Sequence, residues 1–186
     1  MKRTSDYEPH NVTCEQRDNG TLFLRSNMDL GPVVDTSADW LHRWSDRASD
    51  RIFLAERSGA GWREETYQST LQKVRAIAAS LLARGMGPTT PILIMSGNGV
   101  DHGLLTLAAH YIGVPTAPIA EQYALIPAAH ERLEHAISLV KPTMAYVVNA
   151  DKFAHAIALD ALAHVEIVAS NVGAHTGVTS MDQLLA

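Results

Sequence analysis

A chain of 186 residues is long enough for one ordinary domain with a real core, and a 46% hydrophobic fraction with a mean hydropathy of -0.04 excludes a disordered one. Fifteen basic residues against twenty acidic ones leave a formal charge of -5, so neither nucleic acid nor an anionic membrane is indicated as a partner. No apolar run approaches the ~20 residues of a membrane span. The start MKRTSDYEPHNVT has no apolar core, and the single cysteine, Cys14, excludes an internal disulfide; a cytoplasmic protein is predicted.

In chain order, Cys14 to Arg17 and Thr21 to Leu24 flank Asp18-Asn19-Gly20, a hairpin signal because Asn and Gly tolerate positive φ. Thr36 and Asp39 have capping-box spacing, and Trp40, Leu41, Trp44 and Ala48 form one face of a short helix, which predicts core packing for both tryptophans. Ile52 to Glu56 and Trp62 to Glu64, joined through Ser58-Gly59-Ala60-Gly61, predict a second hairpin. A long amphipathic helix follows from Thr66 to Arg84 and stops at Gly85.

The central stretch, Arg84 to Leu125, reads as a βαβ unit. Pro91 to Met95 is a continuous apolar run, as a strand covered on both faces requires. Val100 to Ile112 is a buried small-residue helix closed by Gly113, Val114-Pro115 launches the next strand, and Ala120 to Leu125 is expected to be a loop. Alternation continues with helix Ala128 to Val140, strand Thr143 to Val148, helix Asp151 to Ala163, strand Val165 to Ala169, and a last helix capped by Ser180 and Gln183.

The fold class is therefore α/β: a mostly parallel sheet with helices on both faces, preceded by N-terminal antiparallel hairpins. The expected organisation is residues 1–66 for the hairpins and short helix and 67–186 for a parallel subdomain that is cut short, the two forming one incomplete N-terminal domain. A sheet cut from a larger body is expected to bare an apolar flank or strand edge.

Ligands of such sheets bind outside the carboxyl ends of the strands, so Ser96 to Gly99 and Ala120 to Leu125 are the places for a site. Asn98, Glu121 and Tyr123 are the candidate substrate-binding residues there; a turn-forming role alone would also explain Asn98. Gly97-Asn98-Gly99-Val100-Asp101-His102-Gly103 sits where a dinucleotide fingerprint would, with Glu121 as its ribose acid, but its third glycine comes one residue late. The nine histidines lack the spacing of a metal site, and Cys14 has no neighbour to activate it, so strand packing is its expected role. No catalytic, cofactor-binding or metal-binding residue is assigned.

The run from Trp62 to Leu125, WREETYQSTLQKVRAIAASLLARGMGPTTPILIMSGNGVDHGLLTLAAHYIGVPTAPIAEQYAL, resembles the N-terminal part of the AMP-forming adenylating enzymes, the acyl- and aryl-CoA ligases. The carriers are Thr-Tyr at the start of a long helix, a turn leading into a strand, and a helix ending in Gly-Val-Pro before a Pro-containing strand. Leu30 to Arg57 and the Tyr123-Ala124-Leu125 run point, within that family, towards the feruloyl-CoA synthetases.

The resemblance implies a two-step ligase for the intact parent. It would join an aromatic carboxylic acid to the α-phosphorus of ATP, release pyrophosphate, and pass the acyl group to the thiol of coenzyme A, with Mg2+ meeting the phosphate charge. The family's Ser/Thr/Gly-rich phosphate loop closes in Pro-Lys. The lysines here are Lys2, Lys73, Lys141 and Lys152, and Lys141-Pro142 has the reverse order. None of the family's catalytic residues maps onto this sequence. The expectation is an N-terminal fragment, inactive alone, whose missing part could act in trans; the alternatives are a non-catalytic pairing module and a dinucleotide-binding module.

Overall fold

The computed structural model describes residues 11–186; most of the stretch MKRTSDYEPHNVT, read above as lacking an apolar core, falls outside them. The chain divides into two compact units, one ending at Val34 and the other running Asp35–Ala186.

In the first unit, β1 (Val12–Gln16) pairs antiparallel with β2 (Leu22–Ser26), with Cys14 opposite Leu24. Gly20 turns the corner at φ 82, a conformation that side chains with a Cβ resist. Cys14 is exposed rather than packed, because a two-stranded ribbon buries neither face.

In the second unit, α1 (Ser37–Arg47) opens with the predicted capping box, the Thr36 N–H donating to the Asp39 carboxylate at 2.9 Å. β3 (Ile52–Ser58) and β4 (Gly61–Thr66) form the second hairpin. Thr66 then caps α2 (Tyr67–Ala83), its hydroxyl accepting from the Ser69 N–H at 3.1 Å. Next come β5 (Ile92–Ile94), α3 (Val100–Tyr111), β6 (Thr116–Pro118), α4 (Glu121–Leu125) and α5 (His130–Val140). The chain continues through β7 (Met144–Asn149), α6 (Ala154–Ile157), β8 (Glu166–Asn171), β9 (Thr179–Ser180) and α7 (Met181–Leu185).

β6-β5-β7-β8-β9 is the order of the parallel five-stranded sheet, so the chain steps from β5 to one side and returns to the other. Two right-handed crossovers in opposite directions must lie on opposite faces. Accordingly α3 packs with α2 and α7 on one face, through Leu71, Val74, Ile77, Leu104 and Leu184. On the other face, α4, α5 and α6 pack through Ala124, Leu133, Ile137 and Ala156. The strand order reverses at β5, which leaves a crevice between the carboxyl ends of β5 and β7.

Three expectations are corrected. Ala120 to Leu125 is not a loop: Glu121–Leu125 is helical, because Ala124 and its partly buried neighbours Tyr123 and Leu125 need one turn to reach the core. The helix expected over Asp151 to Ala163 is only Ala154–Ile157 and a 3-10 turn at Asp160–Leu162, broken where Leu159 is extended at ψ 139. That break lets Phe153, Ala156 and Leu162 all reach the same core.

The third concerns apolar exposure. Ile92, Leu93 and Ile94 are fully buried, so both faces of the sheet are covered. The exposed large apolar groups of this unit are Trp40 (43%) and Trp44 (38%) on α1, Ile52, Phe53 (39%) and Trp62 (55%) on the hairpin, Leu82 on α2, Ile126 before α5 and Leu139 on it, and Val148 on β7, so apolar exposure is found at the rim and not over the faces of the sheet. The tryptophans of α1 therefore do not pack in the core; Leu41 is the buried residue of that helix. Among the described residues, no helix is long and apolar enough to cross a membrane.

Candidate functional site at the carboxyl edge of the sheet

The crevice at the β5/β7 reversal is a cleft of about 360 Å³. Its floor comes from the strand ends: Tyr146 and Val148 of β7 and Ser170 of β8. One wall is the Gly97-Asn98-Gly99 turn after β5, and Glu121 of α4 closes the side. The other wall is built from Glu56 and Arg63 of the hairpin and Asp101 of α3.

The hairpin reaches this place because α3 presents a flat strip to it. A Cβ on Gly103 would stand 3.4 Å from Leu54 Cδ1, and one on Gly99 only 2.8 Å from Glu56 Oε2. The two glycines are four apart on the helix, and Leu54 and Glu56 are two apart on the strand, so one helical face receives one strand face. The glycine-rich run therefore seats the hairpin instead of admitting a dinucleotide. Its late third glycine lies one helical turn from Gly99 on the same face, where a Cβ would only touch Leu54.

Charge fixes the same contact. Arg63 donates to Glu56 Oε1 at 3.1 Å and to Asp101 Oδ1 at 2.6 Å, while Glu56 Oε2 accepts the Val100 N–H at 2.8 Å. Glu56 thus caps α3, whose own N-cap residue is Gly99 and offers no side chain. Burial by itself would raise the Asp101 carboxyl, but hydrogen bonds from Arg63 and Ser170 outweigh it and hold the group below the usual carboxylate range. The Asp101 hydrogen bond holds Arg63 firmly in its charged form against burial. Burial pushes the Tyr146 phenol up, and its hydroxyl lies 2.6 Å from Ser170 Oγ. Beneath the turn, Ser96 Oγ accepts the Val148 N–H, tying β5 to β7.

Of the candidates read from the sequence, the structure brings Asn98 and Glu121 together in the cleft. Glu121 Oε1 accepts from Lys152 Nζ at 3.2 Å, and its other oxygen would stand 3.3 Å from a Cβ on Gly97. Tyr123 faces a separate surface depression with Glu131, His135 and Leu139, under the Arg132 guanidinium at 5.6 Å. Glu56, Arg63, Asp101, Tyr146 and Ser170 were not legible as site residues. The available signals were an acidic residue in the first turn of an apolar helix and the period-two pairing of Leu54 with Glu56.

The other motifs have local explanations. His102 Nδ1 lies 3.1 Å from Gly97 O, His110 Nε2 lies 3.1 Å from Thr116 Oγ1, and His130 Nε2 lies 3.2 Å from Ala124 O. Among the described residues no three His, Cys, Asp or Glu side chains gather to hold a metal ion. Lys141, at φ 49, is the left-handed C-cap of α5, and Pro142 follows it as a helix stop.

Chemically, the cleft offers a hydrogen-bonding surface in which Asp101 is held in its ionised form and Tyr146 in its protonated form. In the cleft, the N-terminus of α3 that would meet an anion is taken by Glu56, and Arg63 and Lys152 are engaged by carboxylates.

Comparison with known proteins gives the same fold. A PKS-NRPS hybrid synthetase, psoA, from Aspergillus fumigatus is 30% identical over 99 residues, which is 50% of this chain and 2% of the synthetase. Acetoacetyl-CoA synthetase from Streptomyces lividans superposes with a TM-score of 0.68 at 17% identity, over 81% of this chain and 25% of that one. The luciferase-like enzyme of the mealworm Zophobas morio gives a TM-score of 0.66 at 19% identity, over 85% of this chain and 36% of that one. The chain thus spans only a small part of each of these relatives. The parallel sheet and the hairpins that precede it share the fold of part of both enzymes. The profile of the family described as AMP-binding enzyme matches residues 41–183, most of the chain, and the protein belongs to that family.

Proposed function

We propose that this chain is the N-terminal scaffold of an AMP-forming acid–CoA ligase of feruloyl-CoA synthetase type, and that it is inactive alone. The intact enzyme would convert a hydroxycinnamate, ATP and coenzyme A into the acyl-CoA, AMP and pyrophosphate in the cytoplasm. Magnesium would neutralise the phosphates when bound. Membership of the family supports the adenylating chemistry; the likeness of Leu30 to Arg57 and of the Tyr123-Ala124-Leu125 run supports the aromatic acid.

The observation that carries the inactivity is Glu56 on the Val100 N–H. With that position filled, the groups that grip triphosphate would come from elsewhere, in the same polypeptide or in trans. Within the cleft, Asn98 and Glu121 are the side chains offered to substrate; Tyr123 would contribute only at the surface depression beside α5.

Thioester formation tests this directly. The purified chain with ATP, Mg2+, ferulate and coenzyme A should give no feruloyl-CoA by chromatography. Adding the C-terminal portion of a feruloyl-CoA synthetase, carrying the Ser/Thr/Gly-rich loop that closes in Pro-Lys, should restore turnover. Sustained thioester production by the chain alone would overturn the reading, as would a complemented enzyme that uses only aliphatic acids.

A further inference from the structure

We infer that Arg63 is a positioning residue: through Glu56 and Asp101 it sets the conformation of the Gly97-Asn98-Gly99 turn, and so the shape of the cleft wall that carries Asn98. The functional meaning of that wall rests on the ligase reading above; the clamp itself is a matter of geometry.

The turn needs such a device. It joins a three-residue strand to a helix, and two of its three residues are glycines, so its own backbone restrains it little. Gly97 and Asn98 are exposed, and α3 has no side-chain cap of its own. Apart from His102 Nδ1, which lies 3.1 Å from Gly97 O, what holds the turn comes from far away in the chain. Glu56, 44 residues before Val100, supplies the acceptor for the first helical N–H. Asp101 sits one residue further into the helix and is 7% exposed.

Arg63 is the part that makes the two carboxylates compatible. Side by side at a helix N-terminus they would repel each other; a guanidinium donates from two nitrogens, one to each acid. The trio keeps a net charge of -1, the sign that the N-terminal end of α3 favours. Lysine cannot reproduce this, since an ammonium is a point charge without the planar fork. Across the cleft, Glu121 rests against Gly97 under Lys152, so the turn is held from both sides. The hairpin's apolar contribution to α3, Leu54 against Gly103, lies one helical turn further on and leaves Asn98 unconstrained.

Hydrogen–deuterium exchange on the 186-residue chain separates a clamp from a general stabiliser. Arg63→Ala should speed exchange at the Val100 amide about tenfold, as loss of the charge-assisted hydrogen bonds that hold Glu56 and Asp101 in place would. The amides of Ile94 and Tyr146 should keep their wild-type rates, whereas Ile137→Ala, a core variant on the opposite face that loosens the whole domain, should speed them as well. Millimolar guanidinium should slow the Arg63→Ala turn again, and Arg63→Lys should behave like Arg63→Ala. Should Arg63→Ala not fold, Glu56→Ala is read instead, with its largest acceleration at Val100.

Uniform acceleration along the chain, an unchanged turn, or full recovery in Arg63→Lys would each overturn the inference. Sustained thioester production by the chain alone, alongside a localised exchange response, would remove the ligase reading and leave the clamp standing.

Discussion

Two layers of the second unit are held by different forces. In the sheet, β5, β7 and β8 bury Ile92, Leu93, Ile94, Ala145 and Val168 without a charge among them, and position follows from packing. In the layer of α1 and the β3–β4 hairpin, Trp40, Trp44, Phe53 and Trp62 keep a third or more of their surface in water. There, position follows from the Phe53–Tyr67 ring stack at 4.6 Å and from the ion pairs of Arg63. The cleft lies where the layers meet, so its floor is anchored by the buried Tyr146 while its outer wall is only as fixed as its charges.

The largest effect should come from the packed layer. Leu104, fully buried between α3 and the sheet, contributes by area and by the cavity its removal leaves; Leu104→Ala should cost about 3 kcal/mol in urea unfolding. A loss below about 1 kcal/mol would mean that the sheet is not the rigid half.

Asp101→Asn should cost about 2 kcal/mol, less than a fully buried pair because the Arg63 side chain is 36% exposed to screening solvent. Its pH signature is specific. The folded carboxyl titrates below its unfolded value, so it contributes stability above the unfolded pKa of about 3.9, and that contribution disappears as pH falls through the lowered folded value. Urea midpoints between pH 3 and 6 should therefore fall less steeply in the variant than in the wild type. A residual slope belongs to Glu65: burial raises its carboxyl, but hydrogen bonds from Lys73 and Ser69 win and lower it.

The two glycines of α3 give the smallest and sharpest contrast. A Cβ on Gly99 meets Glu56 Oε2 at 2.8 Å and must displace the cap, so Gly99→Ala should cost about 1 kcal/mol. On Gly103 the nearest atom is Leu54 Cδ1 at 3.4 Å, an ordinary contact, and the helix propensity gained offsets any crowding. Gly103→Ala should change stability by less than about 0.5 kcal/mol. Equal costs at both sites would mean that the hairpin is seated by packing alone.

Much of the scaffold was legible because it is written in local patterns. The apolar run at Ile92–Ile94, the cap at Ser180 with Gln183, and Gly113 at φ 76 each depend on residues within a few positions of one another. The site was half legible: Asn98 and Glu121 follow from the rule that strands end where ligands bind, whereas Tyr123 turns away with the helix that replaced the expected loop. Arg63 and Asp101 stand 38 residues apart and Glu56 and Val100 stand 44 apart, and no periodicity links them.

By itself, then, the chain's order of residues determined a parallel α/β sheet and the edge at which a cleft would open, since hydrophobic period and glycine placement act over one or two turns of backbone. Only the tertiary structure decided that the start of α3 holds a carboxylate of its own chain and that the aromatic groups of α1 face water. Both outcomes depend on which distant surfaces come into contact, and burial and charge pairing are properties of that contact rather than of either segment.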